Sequence, residues 1–113
     1  MNIEEKELSS GAFLINLSGR LDILGTDQIS LKLSGMTAAP RQAIIINMQD
    51  VTYVASIGIR ALILTIKSVH NRYAKMCLLD CNKEIHSTLC LAGLDQFGSF
   101  FESQKEAESF VLT

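Results

Sequence analysis

A nearly continuous apolar segment at residues 43–48, AIIINM, places the strongest constraint on how this chain can fold. A strand with so few polar residues has both faces buried, as strands of parallel sheets do. It is followed by an apolar helix at about residues 57–72 and by a second apolar strand, KMCLLD, at 75–80. Strand, helix and strand form one βαβ unit, which crosses over with a right hand in nearly all proteins. The sequence therefore predicts the α/β class.

The segments outside this unit predict a small mixed β-sheet packed with about four α-helices. Residues 2–8 and 12–18 are predicted as strands joined by a turn at Ser9-Ser10-Gly11, the first strand antiparallel to the second. Apolar periodicity and capping residues predict three further helices, over 26–37, over 83–92 between the cap Asn82 and the C′ residue Gly93, and from Ser103 onwards. No domain boundary is apparent in 113 residues, so we expect one domain, 1–113.

Composition and charge exclude several classes of partner and location. The net charge of −2 and the pI of about 5.6 provide no basic surface for nucleic acid or for an anionic membrane. The first ten residues are polar and do not resemble a signal peptide. The longest apolar stretch, 54–69, is interrupted by Arg60 and Lys67 and is too short to span a bilayer. We therefore expect a cytoplasmic protein. We also expect it to be a monomer when free.

The patterns that suggest metal binding or catalysis are incomplete. The spacing Cys77-x3-Cys81-x4-His86-x3-Cys90 lacks the longer spacer found between the ligand pairs of structural zinc sites, and free buried thiols explain it better. The run Val54-Ala55-Ser56-Ile57-Gly58 lacks the first glycine of the serine-hydrolase elbow. No nucleotide-binding glycine loop occurs. We expect a protein with no cofactor, no metal and no enzymatic activity.

Two loops are predicted to lie at the carboxyl edge of the sheet, where sites are built in open α/β folds: 19–26, and 49–56, of which 49–55 connects the strand to the long helix. Asp22 fits either a helix N-cap or a functional carboxylate, and Asp50 fits a turn residue. Ser56 directly precedes the long helix, so it fits an N-cap. It also fits a phosphorylation site, because a helix N-terminus tolerates a dianion. The two interpretations of Ser56 are compatible.

The residues LSGRLD at 17–22 and IIINMQDVTYVASIGIRAL at 44–62 resemble the STAS domain of bacterial anti-sigma factor antagonists. The resemblance covers roughly residues 4–112, and it implies a single STAS domain. It implies binding to an anti-sigma factor with serine kinase activity, which frees the sigma factor. It further implies that phosphorylation of one serine ends the binding and that a metal-dependent serine phosphatase restores it.

The same resemblance implies specific roles for individual residues. Ser56 aligns with the phosphorylated serine, Gly58 with the glycine two residues later, and Asp22 with the acidic residue of the first motif. Asp50 also falls within the motif. The family often has Asp or Ser directly before the acceptor serine, where this chain has Ala55, and a residue smaller than Ile57 directly after it.

The surface that would contact the partner is predicted on the long helix. Ser56, Arg60, Lys67 and Asn71 follow i, i+4, i+11 and i+15, which places them on one side of a helix. This stripe is either the wet edge of a buried helix or, together with Asp22 and Thr26, the footprint of the partner. The predicted partner-binding residues are Asp22, Thr26, Asp50, Ala55, Ser56, Ile57, Gly58, Arg60 and Lys67. The alternative function is a STAS accessory subunit that binds a lipid or small-ligand transporter component.

Overall fold

Strands and helices alternate along most of the chain, and the computed structural model describes all of residues 1–113. The strands are β1 (Asn2–Glu7), β2 (Phe13–Leu21), β3 (Ala43–Val54), β4 (Lys75–Leu79) and β5 (Ser99–Phe101). The helices are α1 (Ile23–Met36), α2 (Ser56–Asn71), α3 (Lys83–Leu91) and α4 (Gln104–Leu112), with a 3-10 turn at Leu94–Gln96.

The five strands form one mixed sheet whose spatial order, β1-β2-β3-β4-β5, is the same as the sequence order. The β1 strand is antiparallel to β2, and every later pair is parallel. The predicted α/β class, the mixed sheet, the four helices and the antiparallel first pair are therefore confirmed. No helix is long and apolar enough to cross a membrane.

Each face of the sheet carries its own apolar core, which explains the continuous apolar sequence of β3. Ile44 and Ile46 lie in a core of 19 buried residues together with side chains of α1, α2 and α3. Ala43 and Ile45 lie on the other face in a core of eight buried residues, which α4 covers with Ala107 and Val111. Alternate residues of a strand point to opposite faces, so a strand covered on both sides must be apolar throughout.

The segment 49–55 was predicted as a loop, and this prediction is wrong. The β3 strand continues to Val54, and β2 continues to Leu21, so that the two form a ribbon extending beyond the region where β4 pairs. Val51 and Val54 are buried on the core side, which holds this extension in place. Asp50 pairs with Ser18 inside the ribbon and does not form a turn.

The capping residues predicted for α3 and α4 are present in the structure. The N–H of Ile85 donates to Asn82 Oδ1 at 2.8 Å at the start of α3. The N–H of Glu106 donates to Ser103 Oγ at 3.4 Å at the start of α4. Gly93, directly after the C-cap of α3, has φ of 87°, a conformation that glycine adopts at little cost.

Candidate functional site

The N-termini of α1 and α2 meet at the carboxyl edge of the sheet. Leu21 ends β2 and pairs with Val54, which ends β3. The N–H of Ala55 donates to the carbonyl oxygen of Leu21 at 3.0 Å, which joins the two strand-to-helix connections directly. The connections contain only Asp22 on one side and Ala55 on the other. The residues predicted to be functional around Asp22 and Ser56 are therefore brought together by backbone pairing.

Asp22 is the N-cap of α1, as one of its two interpretations proposed. Its Oδ1 accepts a hydrogen bond from the N–H of Gly25 at 2.8 Å, and its Oδ2 accepts one from Arg20 Nε at 3.3 Å. The hydrogen bond from Gly25 and, after it, the pairing with Arg20 hold the pKa of the Asp22 carboxyl below its ordinary value. The carboxylate is therefore engaged on both oxygens.

Arg20 was not singled out from the sequence, yet it connects the two sides of this site. Its guanidinium lies 4.3 Å from the centroid of the Tyr53 ring while its Nε binds Asp22. Arg20 and Tyr53 are partners in the pairing of β2 with β3. The only signal in the sequence was the position of Arg20 two residues before a capping aspartate. Strand register, which the sequence did not reveal, places the aromatic ring beneath it.

Ser56 is exposed and is the first residue of α2, not its N-cap. The N-cap is Ala55, and no side chain caps this helix. The interpretation of Ser56 as a cap is therefore wrong, because the extended backbone that a cap requires falls one residue earlier. The helical hydrogen bonds of α2 begin at Ile59, whose N–H donates to the carbonyl oxygen of Ala55 at 3.0 Å. The preceding N–H groups leave a positive end beside the Ser56 hydroxyl.

Two of the predicted contact residues do not lie on the surface. Gly58 is buried, and a Cβ there would lie 2.5 Å from the carbonyl oxygen of Leu21 and 2.7 Å from its Cγ. Glycine at this position therefore lets α2 pack closely on the end of β2. Thr26 is only 5% exposed, and its hydroxyl has no hydrogen-bond partner. Both residues are therefore shielded from the surface, and their part in partner binding stays a prediction.

Three large apolar side chains are exposed in the first turns of α1 and α2. Ile23 is 73% exposed, Leu24 67% and Ile57 45%. They line a cavity of about 420 Å³ together with Thr26, Asp27 and Ser30. Ile57 was among the predicted contact residues, but Ile23 and Leu24 were missed. Their signal was present, because they precede the inward positions Ile29 and Leu33 and fall out of phase with them on a helix.

The stripe of residues on α2 is exposed as predicted, but it includes an apolar residue that was not predicted. Arg60, Lys67 and Asn71 are exposed, and so is Leu64, which lies between them. Lys67 lies far from Ser56 along the helix, with its Nζ 4.3 Å from the centroid of the Phe97 ring. A second cavity of about 260 Å³ runs beside the stripe and is lined by Ser56, Ile59, Arg60, Ile63, Leu64 and Ala92. Asp50 is exposed within β3, where it pairs with Ser18, four residues before the end of the strand at Val54.

The cysteines and histidine of the metal-like spacing are divided between the two sides of the sheet. Cys77 lies in the core under α4, whereas Cys81 packs against the core under the other three helices. Burial raises the pKa of both thiols to about 12. No group of three or more His, Cys, Asp or Glu side chains is arranged to hold a metal ion.

The chain is similar in sequence to a known domain family and to a known protein. A family model described as the STAS domain matches residues 4–107. The anti-sigma F factor antagonist of Paenibacillus polymyxa is 21% identical over 109 residues, which cover 95% of this chain and 93% of that protein.

Among solved structures, an anti-sigma factor antagonist from Mycobacterium paratuberculosis has a TM-score of 0.89 at 16% identity, over 99% of this chain and 94% of that chain. The Bacillus cell fate determinant SpoIIAA in its phosphorylated form has a TM-score of 0.73 at 19% identity, over 97% and 99% of the two chains. The murine anion transporter Slc26a9 has a TM-score of 0.78 at 17% identity, over 90% of this chain and 18% of that chain. These likenesses establish the fold, and since the family model spans residues 4–107, the chain belongs to the STAS domain family.

Proposed function

We propose that this STAS domain is an anti-sigma factor antagonist that works by partner switching. In its unphosphorylated form it binds an anti-sigma factor with serine kinase activity and thereby releases the sigma factor. Phosphorylation of Ser56 ends the binding, and a metal-dependent serine phosphatase restores it. The proposal makes the protein a regulatory binding protein and not an enzyme, in keeping with the name of its Paenibacillus relative.

The observation that carries this proposal is the place of Ser56. It is exposed on the first residue of α2, next to the exposed Ile57. The hydrogen bond from Ala55 to Leu21 joins the residue before Ser56 to the residue before Asp22. A phosphate there would be tolerated by the free N–H groups of the helix N-terminus. It would also add a charge of about −2 to a surface that exposes apolar side chains.

The added charge would oppose docking without refolding the domain. A docked partner would cover the phosphate and remove its water, which is costly unless new partners replace that water. Arg60, one turn along α2, is the nearest cation on the same helix and could pair with the phosphate.

Incubation with the anti-sigma factor serine kinase of the same organism and Mg-ATP, followed by intact-mass measurement, tests the proposal. We expect the wild-type protein to take one phosphate. Ser56→Ala should take none and should bind the kinase persistently. Ser68→Ala is the matched control, because Ser68 is exposed on the same helix but far from its N-terminus. Full modification of Ser56→Ala would show that Ser56 is not the acceptor.

The effect of phosphorylation on the fold gives a second readout. Far-UV circular dichroism should not change between the two forms. Backbone amide shifts should change mainly within residues 50–62 and around Leu21, whose carbonyl binds Ala55. Shifts spread through the sheet would instead indicate a conformational switch.

The alternative is a STAS accessory subunit that binds a transporter component. It is supported by the fold that this chain shares with part of the murine anion transporter. That function does not require a phosphate on Ser56. A protein that neither binds the kinase nor takes a phosphate would therefore favour the alternative.

A further inference from the structure

Arg60 differs from the other arginines of the chain because its guanidinium has no partner within the protein. Hydrogen bonds hold the guanidinium groups of the others, which are Arg20, Arg41 and Arg72. Arg60 is exposed, and neither a hydrogen bond, a carboxylate nor an aromatic ring holds it in place. A guanidinium keeps its charge at all ordinary pH values and offers a planar fork of N–H donors. Arg60 is therefore the arginine whose donors are all available to an anion.

Arg60 shares a cavity with the proposed phosphate acceptor. The cavity of about 260 Å³ beside α2 is lined by Ser56 and Arg60 and by apolar residues, which are Ile59, Ile63, Leu64 and Ala92. Arg60 is the one charged residue in this lining, so no carboxylate of the cavity competes for its guanidinium. Side chains four residues apart on a helix are neighbours. An anion formed on Ser56 would therefore meet an unpaired cation one turn away.

The N-terminus of α2 adds to the effect of Arg60 on such an anion. Side chains cap α1, α3 and α4, whereas no side chain caps α2. The N–H groups ahead of Ile59 therefore have no acceptor within the helix, and the positive end of the helix dipole is left uncompensated. Arg60 and the open helix N-terminus both favour a phosphate on Ser56 in its fully ionised form.

We propose that Arg60 exchanges one partner for another when Ser56 is phosphorylated. In the unphosphorylated protein, its guanidinium binds a carboxylate of the anti-sigma factor. In the phosphorylated protein, it binds the phosphate and is no longer available to that carboxylate. Phosphorylation then removes a positive charge from the docking surface in addition to supplying negative charge. The inference rests on the proposed function and deepens it by naming the residue through which the phosphate acts.

This exchange differs in sign from simple screening of the phosphate by Arg60. If Arg60 only screened the phosphate, its removal would leave the phosphate more repulsive, and phosphorylation would weaken kinase binding by a larger factor. If Arg60 exchanges partners, its removal takes away in advance part of what phosphorylation removes. Phosphorylation then weakens binding by a smaller factor. A cycle that combines the phosphate with an Arg60 substitution therefore separates the two mechanisms.

Titration calorimetry with the anti-sigma factor kinase, without ATP, measures this cycle. Wild type and Arg60→Gln are each compared with serine and with phosphoserine at position 56, the phosphoserine being incorporated during translation. The factor by which phosphorylation weakens binding should be at least about threefold smaller in Arg60→Gln than in wild type. Lys105→Gln controls for net charge, because α4 covers the opposite face of the sheet, and it should behave as the wild type does. An equal or larger factor in Arg60→Gln would overturn the proposal.

Phosphorus NMR titration of the same proteins tests the pairing without the kinase. A phosphate that binds Arg60 keeps its second negative charge to lower pH, so its second pKa should lie below the ordinary value of about 6. This pKa should be higher in Arg60→Gln by roughly 0.3–1 pH unit and unchanged in Lys105→Gln. Equal pKa values in wild type and Arg60→Gln would overturn the inference alone. A higher pKa in Arg60→Gln, in a protein that binds no kinase when unphosphorylated, would confirm the pairing and contradict the proposed function.

Discussion

Two glycines determine how closely the first turns of α1 and α2 approach the strand β2. A Cβ on Gly25 would lie 1.9 Å from the carbonyl oxygen of Arg20, and one on Gly58 would lie 2.5 Å from that of Leu21. Both obstacles are backbone atoms, which cannot rotate away as a side chain can. The glycine two residues after Ser56 therefore serves the packing of the site.

Gly58→Ala should lower the free energy of unfolding by about 1–3 kcal/mol, the usual cost of forcing a methyl group into a packed region. Gly35→Ala is the matched control, since Gly35 is exposed in α1 with nothing within 4 Å of an added Cβ. That change should raise the free energy of unfolding by roughly 0.5–1 kcal/mol, because alanine is the better helix former. Urea denaturation of both variants measures the difference, and equal effects would contradict this account of Gly58.

Asp22 gives the stability of the domain a defined pH dependence. Its pKa is lowered in the folded state by the Gly25 N–H and by Arg20, so its charged form stabilises the fold. That contribution is fully present above the ordinary pKa of 3.8 and is lost as the pH falls through the lower folded value. Asn caps helices as well as Asp does but does not titrate in this range.

We therefore expect the difference in melting temperature between wild type and Asp22→Asn to be constant from neutral pH down to about pH 5 and to shrink below the ordinary aspartate pKa. Glu5, whose pKa is also lowered, by Arg41, titrates in both proteins and does not contribute to the difference. A difference in melting temperature that does not depend on pH would mean that the charge of Asp22 adds no stability to that of the capping hydrogen bond.

At the scale of the secondary-structure elements, α2 combines an uncapped N-terminus with a mixed exposed face. Its buried side contacts the core through Leu62, Ile66 and Val69. Its exposed side carries Arg60 near Ser56 and Lys67 two turns further along. The helix is therefore held by its packing, while its first turn and its exposed side remain available to a partner.

The missing cap of α2 predicts a stabilising substitution. Ala55 has the extended backbone of an N-cap but no side chain that accepts from the first turn. Ala55→Asp should supply that acceptor and raise the free energy of unfolding by about 1 kcal/mol. Ala55→Asn should have a similar effect, which separates the hydrogen bond from the charge. Urea denaturation measures both, and a loss of stability in both variants would show that the half-buried Ala55 site cannot hold a longer side chain.

The position of Arg60 predicts its importance for binding. Arg60→Glu should weaken kinase binding by at least ~1.4 kcal/mol, which is tenfold, because it places a carboxylate one turn from Ser56. Lys67→Glu should have a smaller effect, because Lys67 lies against Phe97 at the other end of α2. Both melting temperatures should stay close to that of the wild type. Equal affinity of Arg60→Glu and wild type would place the footprint away from this helix.

At the scale of the whole molecule, the sheet is covered on both faces, and this arrangement controls the cysteine chemistry. Cys77 lies under α4 and Cys81 against the opposite core, and burial raises the pKa of both thiols to about 12. At pH 8 the reactive thiolate fraction of such a group is on the order of one ten-thousandth. Cys90 is only partly buried.

Thiol titration should therefore detect at most one rapidly reacting cysteine in the native protein at pH 8 and all three of the cysteines in urea. Peptide mass mapping should assign the native reaction to Cys90. Rapid modification of Cys77 without loss of structure would contradict the placement of α4 over that face.

Most of the strands and helices, and their arrangement in layers, could be predicted because they depend on local patterns in the sequence. The apolar run at 43–48 required a strand buried on both faces, and Asn82, Gly93 and Ser103 marked helix ends through hydrogen bonds or backbone conformations that involve near neighbours. These features need no knowledge of distant residues. The order of strands and helices followed from them.

The exposure of the site residues could not be predicted in the same way, because it depends on contacts between distant segments. The extension of β3 through Asp50, and the burial of Gly58 against Leu21, depend on pairing with β2, which is distant in sequence. The N-cap of α2 is Ala55 and not Ser56, and the N–H of Ala55 donates to the carbonyl oxygen of Leu21. The cavity bounded by Ile23, Leu24 and Ile57 exists because two helices begin side by side. These features arise from contacts between segments that are far apart in the chain, so they cannot be predicted from local sequence patterns.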